Sequence, residues 1–215
     1  MLFNLVKKDF ILAKKYWLLM LAFAIGAPIY VETQTHTMSG GLLGFLVTVL
    51  LSEYMIFNSV SMAEDKYKGS ALLSATPYTR KTLIKAKYLF ILGIFVGCYI
   101  LYTITAFLLP SYMVTLNLLS LGISFLIVAI YYGFIVPLQY RFGYEKVRYI
   151  SFFAIFIVPF LFPYIWIWFQ SRNIDWQTIF LFPSVIQELL LFLLALLIGL
   201  ISMLVTIRIY SQKDL

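Results

Sequence analysis

Long apolar stretches alternate with short polar intervals along this 215-residue chain. The six stretches cover about residues 16–31, 42–63, 88–109, 118–138, 150–169 and 180–207. At a helical rise of about 1.5 Å per residue, stretches of this length can cross about 30 Å of hydrocarbon. Helices satisfy their own backbone hydrogen bonds, as lipid requires. The pattern predicts an all-α polytopic membrane protein, with six transmembrane helices forming one domain over residues 1–215.

The first fifteen residues have a different pattern, which is amphipathic. The apolar positions recur at spacings of three and four, at Phe3, Val6, Phe10, Ala13 and Trp17. Lysines 7, 8, 14 and 15 fall on the other side. This spacing predicts an interfacial helix over residues 1–15, with its apolar face in the membrane and its lysines near anionic headgroups. The helix either anchors the first span or also braces a cytoplasmic partner.

Composition agrees with a membrane protein and fixes its orientation. Hydrophobic residues make up 63% of the chain and charged residues 12%, and the mean hydropathy is +0.96. Fifteen of the sixteen Lys and Arg residues fall on one side of the predicted spans, and Arg172 is the exception. The positive-inside rule places that side, and both termini, in the cytoplasm. The N-terminal lysines precede an apolar run without a small-residue cleavage site, so we expect that run to remain as an anchor.

The longest polar interval, residues 63–87, separates the second and third spans. It reads AEDKYKGSALLSATPYTRKTLIKAK and holds six of the sixteen basic residues. Gly69 and Pro77 bracket a short predicted helix, and Thr79 is a predicted N-cap for a helix that starts at Arg80. A rigid loop of this kind between membrane helices favours binding to another molecule.

The second span carries an acid at its middle, Glu53. Ser52 and Asn58 belong to two polar stripes on either side of it on the helical wheel. An unpaired charge at this depth costs several kcal/mol, so the helix cannot face lipid on all sides. Two roles stay open for Glu53: a protonated carboxyl hydrogen-bonded to a neighbouring helix, or a residue that lines a translocation path.

Small residues and prolines mark two further features. Gly93 and Gly97 form a G-x-x-x-G pattern that would let another helix approach the third span closely. Pro159 and Pro163 each remove a backbone donor, so we expect the fifth span to bend or break there. Ser184 follows Pro183 and predicts the restart of a helix.

Sequence patterns of catalysis are absent. The chain has a single histidine, His36, and a single cysteine, Cys98, which lies in an apolar run. It contains no H-E-x-x-H, no G-x-S-x-G and no G-x-x-x-x-G-K-[ST] pattern. These absences argue against a disulfide framework, a thiolate metal site, an intramembrane hydrolase and a nucleotide site of its own. Nothing in the pattern indicates a cofactor or a nucleic acid partner.

The polar interval resembles a stretch of the ABC-2 type permeases, the membrane subunits of ATP-binding-cassette exporters. The resemblance rests on the order Glu64, Gly69, Leu72-Leu73-Ser74, Pro77, Arg80, Ile84, Lys87. Ala75-Thr76-Pro77 stands where Leu-Pro is commoner in the family. The N-terminal NLVKKDF is similar to the start of short bacterial members. Among the short members that export peptides, the chain most resembles the exporter of the staphylococcal phenol-soluble modulins. Six spans with both ends inside also fit the family over the whole chain.

The resemblance implies a bacterial plasma-membrane exporter of amphipathic or peptide substrates. Two permeases, identical or different, would pair with two separate ATPase subunits that hold ATP and Mg²⁺. A coupling helix near Lys66–Ser74 would sit in a groove of the ATPase. The implied contact residues are Glu64, Asp65, Lys66, Lys68, Gly69, Leu72, Leu73, Ser74, Pro77 and Arg80. The candidates for the translocation path are Glu53, Asn58, Ser52, Pro159 and Pro163.

Two alternatives to an ATP-driven permease stay open. A secondary carrier would favour internal repeats and broken, ion-binding helices, but the sequence shows no repeat, and Glu53 alone is a candidate coupling site. A membrane scaffold or immunity protein is compatible with the same sequence. An ABC ATPase that co-purifies with the chain would distinguish the exporter from both.

Overall fold

The computed structural model describes residues 2–35, 41–67, 79–110, 113–171 and 184–212. Within those ranges the chain is helical apart from short connections, and no strand occurs. A short helix, α1 (Leu2–Leu12), continues through a 3-10 turn (Ala13–Tyr16) into longer helices. These are α2 (Trp17–Thr35), α3 (Leu42–Lys66), α4 (Arg80–Leu108), α5 (Leu118–Phe142), α6 (Tyr144–Ser171) and α7 (Ser184–Ser211). The predicted all-α class is confirmed.

Four of these helices are long and apolar enough to cross a membrane: α3, α4, α5, and α7 over Ile186–Ser211. A fifth span results if Leu2–Tyr16 and Met20–Glu32, which meet at an angle of 69°, count as one broken helix. These assignments follow from length and apolar composition. The chain is therefore a multi-pass membrane protein, and the count of six spans stays a prediction.

Local signals fix several helix ends. Thr79 caps α4 as predicted, because its hydroxyl accepts a hydrogen bond from the backbone N–H of Thr82 at 3.3 Å. The same helix ends at Leu108, just before Pro110. It starts eight residues before the predicted span 88–109, so its first two turns extend beyond the apolar stretch. Helix α7 is described from Ser184, the position of the predicted helix restart, and the residues just before it lie outside the described part.

The helix does not break at Pro159 and Pro163, where we expected a bend or a break, and a bend there stays a prediction. Helix α6 is continuous from Tyr144 to Ser171 and includes both prolines. Pro28 and Pro137 also lie inside helices, in α2 and α5. A proline removes a single donor from the helical ladder, and neighbouring helices in a membrane tolerate this loss. The side chains of Pro159 and Pro163 lie outside the described part.

Helix α3 occupies the centre of the bundle. It packs against α2, α4, α6 and α5, and fourteen of its residues between Leu42 and Ser61 are buried. Phe45 near its start makes an edge-to-face contact with Tyr102 of α4 at 5.4 Å between ring centroids. Helices α5 and α7 form the most extensive helix pair. The Ser202 hydroxyl of α7 donates to the Gly133 carbonyl of α5 at 2.8 Å and fastens that pair.

Helix α1 rests on the bundle through a face that includes Leu5 and Asp9, both buried. The Phe10 ring packs on Phe90 of α4 at 4.9 Å between centroids. A Cβ atom on Gly93 would meet the Phe10 ring at 3.4 Å, so this glycine accommodates α1. The expectation that all α1 lysines face headgroups is wrong for Lys8, whose ammonium group contacts carboxylates of the protein.

The Glu32 carboxylate connects several segments at the end of the bundle where α2 ends and α3 begins. Glu32 at the end of α2 accepts a hydrogen bond from the Val114 N–H at 2.8 Å and another from the Tyr102 hydroxyl. These bonds connect α2, α4 and the segment before α5. Gly41 and Gly44 at the start of α3 leave room for the Glu32 side chain, and Gly41 has a positive φ of 79°.

Gly44 provides a test of this packing. A Cβ atom there would meet the Glu32 Oε1 atom at 3.2 Å and the Pro28 Cα atom at 3.5 Å. We expect Gly44→Leu to destabilise the protein by about 1–3 kcal/mol through overpacking. Gly26→Leu is the matched control, since nothing lies within 4 Å of a Cβ atom at that position. Thermal unfolding in detergent measures both variants, and equal stability would contradict the packing around Glu32.

Candidate functional site

Four charged side chains from three helices form a closed ring at one end of the bundle. We call this set, Lys8 and Asp9 of α1, Glu64 of α3 and Lys87 of α4, the ion cluster. The Lys87 Nζ atom donates to Glu64 Oε2 at 2.8 Å, and Lys8 Nζ donates to Glu64 Oε1 at 3.1 Å. Lys8 Nζ lies 3.1 Å from Asp9 Oδ1, and Lys87 Nζ lies 3.9 Å from Asp9 Oδ2. Cations and anions therefore alternate, and the cluster has no net formal charge.

The cluster has a buried inner half and a more accessible outer half. The Lys87 and Asp9 side chains are 3% and 4% exposed, whereas those of Glu64 and Lys8 are 24% and 32% exposed. Lys87 Nζ also lies 5.6 Å from the centroid of the Phe57 ring, a favourable position for a cation. Burial of an isolated charge is strongly unfavourable, so each inner group depends on the others.

Electrostatics of the α1 pair follow from this arrangement. Burial raises the pKa of the Asp9 carboxyl and outweighs the opposite effects of Lys87 and Lys8. Burial lowers the pKa of Lys8, but the Glu64 and Asp9 carboxylates more than offset it, so this pKa is raised overall. Lys8 is therefore held in its charged form, while Asp9 depends on its cationic neighbours to stay ionised.

A cavity of about 140 Å³ opens beside the cluster. Its lining comes from α1, α3, α4, α5, α6 and α7, together with the α5–α6 junction at Gly143. The residues that line it include Leu5, Lys8, Asp9, Ser61, Glu64, Asp65, Leu83, Ala86, Lys87, Gln139, Tyr140, Gly143, Tyr144 and Tyr210. This end of the bundle, which we call the basic end, is therefore where six helices meet.

Arg80 extends the connections of the basic end to the last helix. Its guanidinium donates to the carbonyls of Tyr210 and Ser211 at 3.2 and 3.3 Å. The same group lies 5.7 Å from the centroid of the Tyr210 ring. Cations favour the carbonyl end of a helix, so the start of α4 holds the end of α7.

The predicted ATPase-contact residues are only partly within the described ranges. Lys68, Gly69, Leu72, Leu73, Ser74 and Pro77 lie outside them. Asp65 and Lys66 are exposed at the end of α3. Glu64 was expected at the charged rim of a contact surface, but its carboxylate is directed to Lys87 and Lys8 within the protein. The contact surface itself stays a prediction.

Glu53 lies in the interior of the bundle, fully buried as expected. Among the described residues neither of its carboxylate oxygens has a hydrogen-bond partner, and the same is true of the buried Ser52 and Tyr132 hydroxyls. Tyr132 of α5 packs on the same stretch of α3, since its ring contacts the Phe57 ring at 5.2 Å between centroids. The predicted hydrogen bond from Glu53 to a neighbouring helix is therefore not seen, and a cluster of unsatisfied polar groups occupies this region.

Helix register explains why Glu53 has no cation beside it. Glu53 precedes Glu64 by eleven residues, and Cys98 follows Lys87 by eleven residues. Eleven residues are about three helical turns, so each pair shares a helix face. Because α3 and α4 run antiparallel, Cys98 stands opposite Glu53 as Lys87 stands opposite Glu64. Asn58, another path candidate, accepts a hydrogen bond from the Tyr144 hydroxyl at 2.7 Å.

Sequence reasoning missed Asp9, the role of Lys87 as its buried partner, and Glu32. Asp9 is the one acidic residue in a lysine-rich amphipathic helix, and this isolation was a sequence signal for a specific role of Asp9. Lys87 lies within a basic run and gave no signal of burial. Among the described residues, no group of three or more His, Cys, Asp and Glu side chains could hold a metal ion.

Comparison with known proteins identifies a family over nearly the whole chain. A family model described as "ABC-2 family transporter protein" matches residues 4–211, a range that includes α2 to α7 and most of α1. No curated protein and no solved structure matches the chain. The narrower resemblance to exporters of phenol-soluble modulins stays a prediction.

The ion cluster predicts a large effect of neutralising Lys87. Lys87→Met leaves Asp9 and Glu64 without their inner cation, and we expect a loss of about 3–5 kcal/mol in the free energy of unfolding. Lys81→Met is the control, because Lys81 is exposed on the same helix. Glu64→Gln should restore part of the stability of Lys87→Met, which unfolding of the double variant measures. Additive effects of the two changes would contradict the cluster.

Proposed function

The chain belongs to the ABC-2 family of transporter proteins, and we propose that it is the permease subunit of an ATP-binding-cassette exporter. Two copies, or this chain and a related one, would form the membrane part. Two separate ATPase subunits would bind ATP and Mg²⁺. The observation that carries the proposal is the family match over residues 4–211.

Connections at the basic end support a mechanical role for the loop between α3 and α4. The loop follows the end of α3, where Glu64 lies, and precedes α4, which begins at Arg80. Glu64 connects it to α1 and α4, and Arg80 connects it to α7. A displacement of the loop would therefore be transmitted to four helices together. Closure of the ATPases would move these helices as a rigid unit between two states.

Leu72 and Leu73 are the residues that we assign to the ATPase groove. They form the apolar centre of a loop whose flanking charges, including Asp65 and Lys66, are exposed. An apolar centre with a charged rim is the usual organisation of a protein interface. The basic end would then face the cytoplasm, as fifteen of the sixteen Lys and Arg residues favour.

The substrate path would follow the interior polar groups. Glu53, Ser52 and the Tyr132 hydroxyl supply polar atoms without partners among the described residues. Such atoms are unfavourable in a closed apolar core and become satisfied when a polar group of a substrate, or water, enters. Amphipathic peptides present polar and apolar groups together. We assign this class of substrate, which moves outwards through the dimer.

A double substitution tests the coupling role. Leu72→Asp with Leu73→Asp should abolish co-purification of an ABC ATPase, and with it ATP hydrolysis by the purified complex, because two charges replace the apolar centre. Thermal unfolding of the permease should stay within about 0.5 kcal/mol of the wild type, because both leucines are assigned to the ATPase contact and not to the packing of the bundle.

Phe142→Asp is the matched control for that experiment. Phe142, the last residue of α5, is 52% exposed at the basic end, and no ATPase contact is assigned to it. This variant should keep the ATPase. Retention of the ATPase by the Leu72–Leu73 variant would disprove the coupling role. Transport by the isolated chain without any ATPase would favour a secondary carrier instead.

Glu53 provides a separate test of the path. Glu53→Gln keeps the shape of the side chain but removes its capacity for charge. We expect substrate-stimulated ATP hydrolysis to fall about tenfold, which corresponds to roughly 1.4 kcal/mol, with little change in unfolding temperature. The control is Thr48→Val, since the buried Thr48 hydroxyl is already bonded to the Gly44 carbonyl at 2.7 Å. Normal stimulation in Glu53→Gln would exclude Glu53 from the path.

A further inference from the structure

A long apolar groove opens between α4, α5 and α7, apart from the ion cluster and its cavity. Its volume is about 400 Å³, within the usual range of ligand pockets. Aliphatic and aromatic side chains form nearly the whole lining. Lys85 and Leu2 lie at one end of the groove, and Phe95 and Phe125 lie at the other.

The length of the groove matches one leaflet of a membrane. Lys85 and Phe95 are ten residues apart on α4, which at 1.5 Å per residue is about 15 Å. The hydrocarbon core is about 30 Å thick, so the groove extends from the basic end to about the midplane. A chain that enters from the leaflet at the basic end would fill the groove and end near the centre of the bilayer.

The mouth of the groove is cationic. Lys85 is exposed, and none of the described residues forms a hydrogen bond or ion pair with it. Lys81, also exposed, lies one turn closer to the start of α4, where the helix dipole adds positive potential. Lys87, only two residues away, is committed to the ion cluster. The free charge at the mouth is therefore available to an anionic group.

We propose that this groove binds one acyl chain of an anionic phospholipid, with the lipid phosphate at Lys85. The apolar lining fits the acyl chain, and the lysine fits the phosphate. A second copy related by a two-fold axis would instead place like surfaces together and bring these lysines near each other. A cationic amphipathic peptide would meet the same repulsion. Charge thus favours the lipid over both other occupants.

The bound chain would act on a contact between helices. The Tyr88 hydroxyl, in the lining of the groove, pairs with the Ser202 and Thr206 hydroxyls of α7 at 2.6 and 3.1 Å. An acyl chain would lie on this bridge between α4 and α7. Arg80 links the same two helices at the basic end. The lipid would therefore stabilise the packing of α7 on α4.

Gly199 offers a way to fill the groove without disturbing its walls. This glycine lines the groove, and nothing lies within 4 Å of a Cβ atom there. A leucine at position 199 would occupy the space of the acyl chain. Gly97→Leu is the matched control, because Gly97 is equally open but does not line the groove.

The experiment measures lipid binding to the full chain by native mass spectrometry and by thermal shift. The probes are phosphatidylglycerol, which is anionic, and phosphatidylcholine, which has no net charge. We expect the wild type to prefer phosphatidylglycerol. Gly199→Leu should lose binding of both lipids at this site, whereas Gly97→Leu should bind as the wild type does. Unchanged binding in Gly199→Leu would overturn the assignment of the groove.

A second pair of variants tests the headgroup. Lys85→Gln should reduce the preference for phosphatidylglycerol about fivefold, which corresponds to roughly 1 kcal/mol for one lysine at an anionic surface. Lys146→Gln removes an exposed lysine of α6 that does not line the groove and should have no effect. Equal losses in both variants would indicate unspecific attraction and overturn the role of Lys85. A dimer that dissociates in Gly199→Leu without loss of lipid would assign the groove to a second copy instead.

Discussion

The contact between Glu64 and Lys87 is the interaction on which the basic end depends. Its 2.8 Å hydrogen bond joins the end of α3 to the first turns of α4, on either side of the polar loop. Lys87 is almost fully buried, and burial of its charge would be strongly unfavourable without the Glu64 and Asp9 carboxylates beside it. Asp9 in turn fixes α1 against the bundle, although α1 is short and separated from α4 by two long helices. One ion cluster therefore sets the positions of the three helices that surround the loop.

Apolar periodicity was sufficient to predict the class of the fold and many helix boundaries. Lipid forces every span to satisfy its own backbone, so long apolar runs have few alternatives to helices. Capping residues also predicted helix starts. Thr79 precedes α4 and caps it, and Ser184 is the first described residue of α7. A bend or a break was expected at Pro159 and Pro163, and the helix does not break there. A proline removes one backbone donor, and packing by neighbouring helices decides whether the helix then breaks. No local pattern contains that information.

The site was predictable in residue type but not in arrangement. Glu53 was identified from the sequence, because a single acidic residue in the middle of an apolar stretch is visible without the fold. The partners of Glu64 were not visible, since Lys8 and Asp9 come from a helix 55 or more residues earlier in the chain. Their contacts depend on how α1 lies across the bundle, and amphipathicity predicts only that one face is apolar. Ion pairs between distant segments therefore need the fold before they can be assigned.

The register of α3 against α4 has opposite consequences at the basic end and in the interior of the bundle. At the basic end, the register places Glu64 against Lys87 and produces a hydrogen-bonded ion pair between a buried lysine and a partly exposed carboxylate. Three turns away it places Glu53 against Cys98, which supplies no charge, so polar groups there lack partners among the described residues. The two helices are held together by the ion pair at one end, while polar atoms at their middle lack hydrogen-bond partners among the described residues. The ion pair is therefore a natural pivot. Displacement of the loop would turn the helices about the ion cluster, and the interior around Glu53 would be the region where new contacts cost least to form.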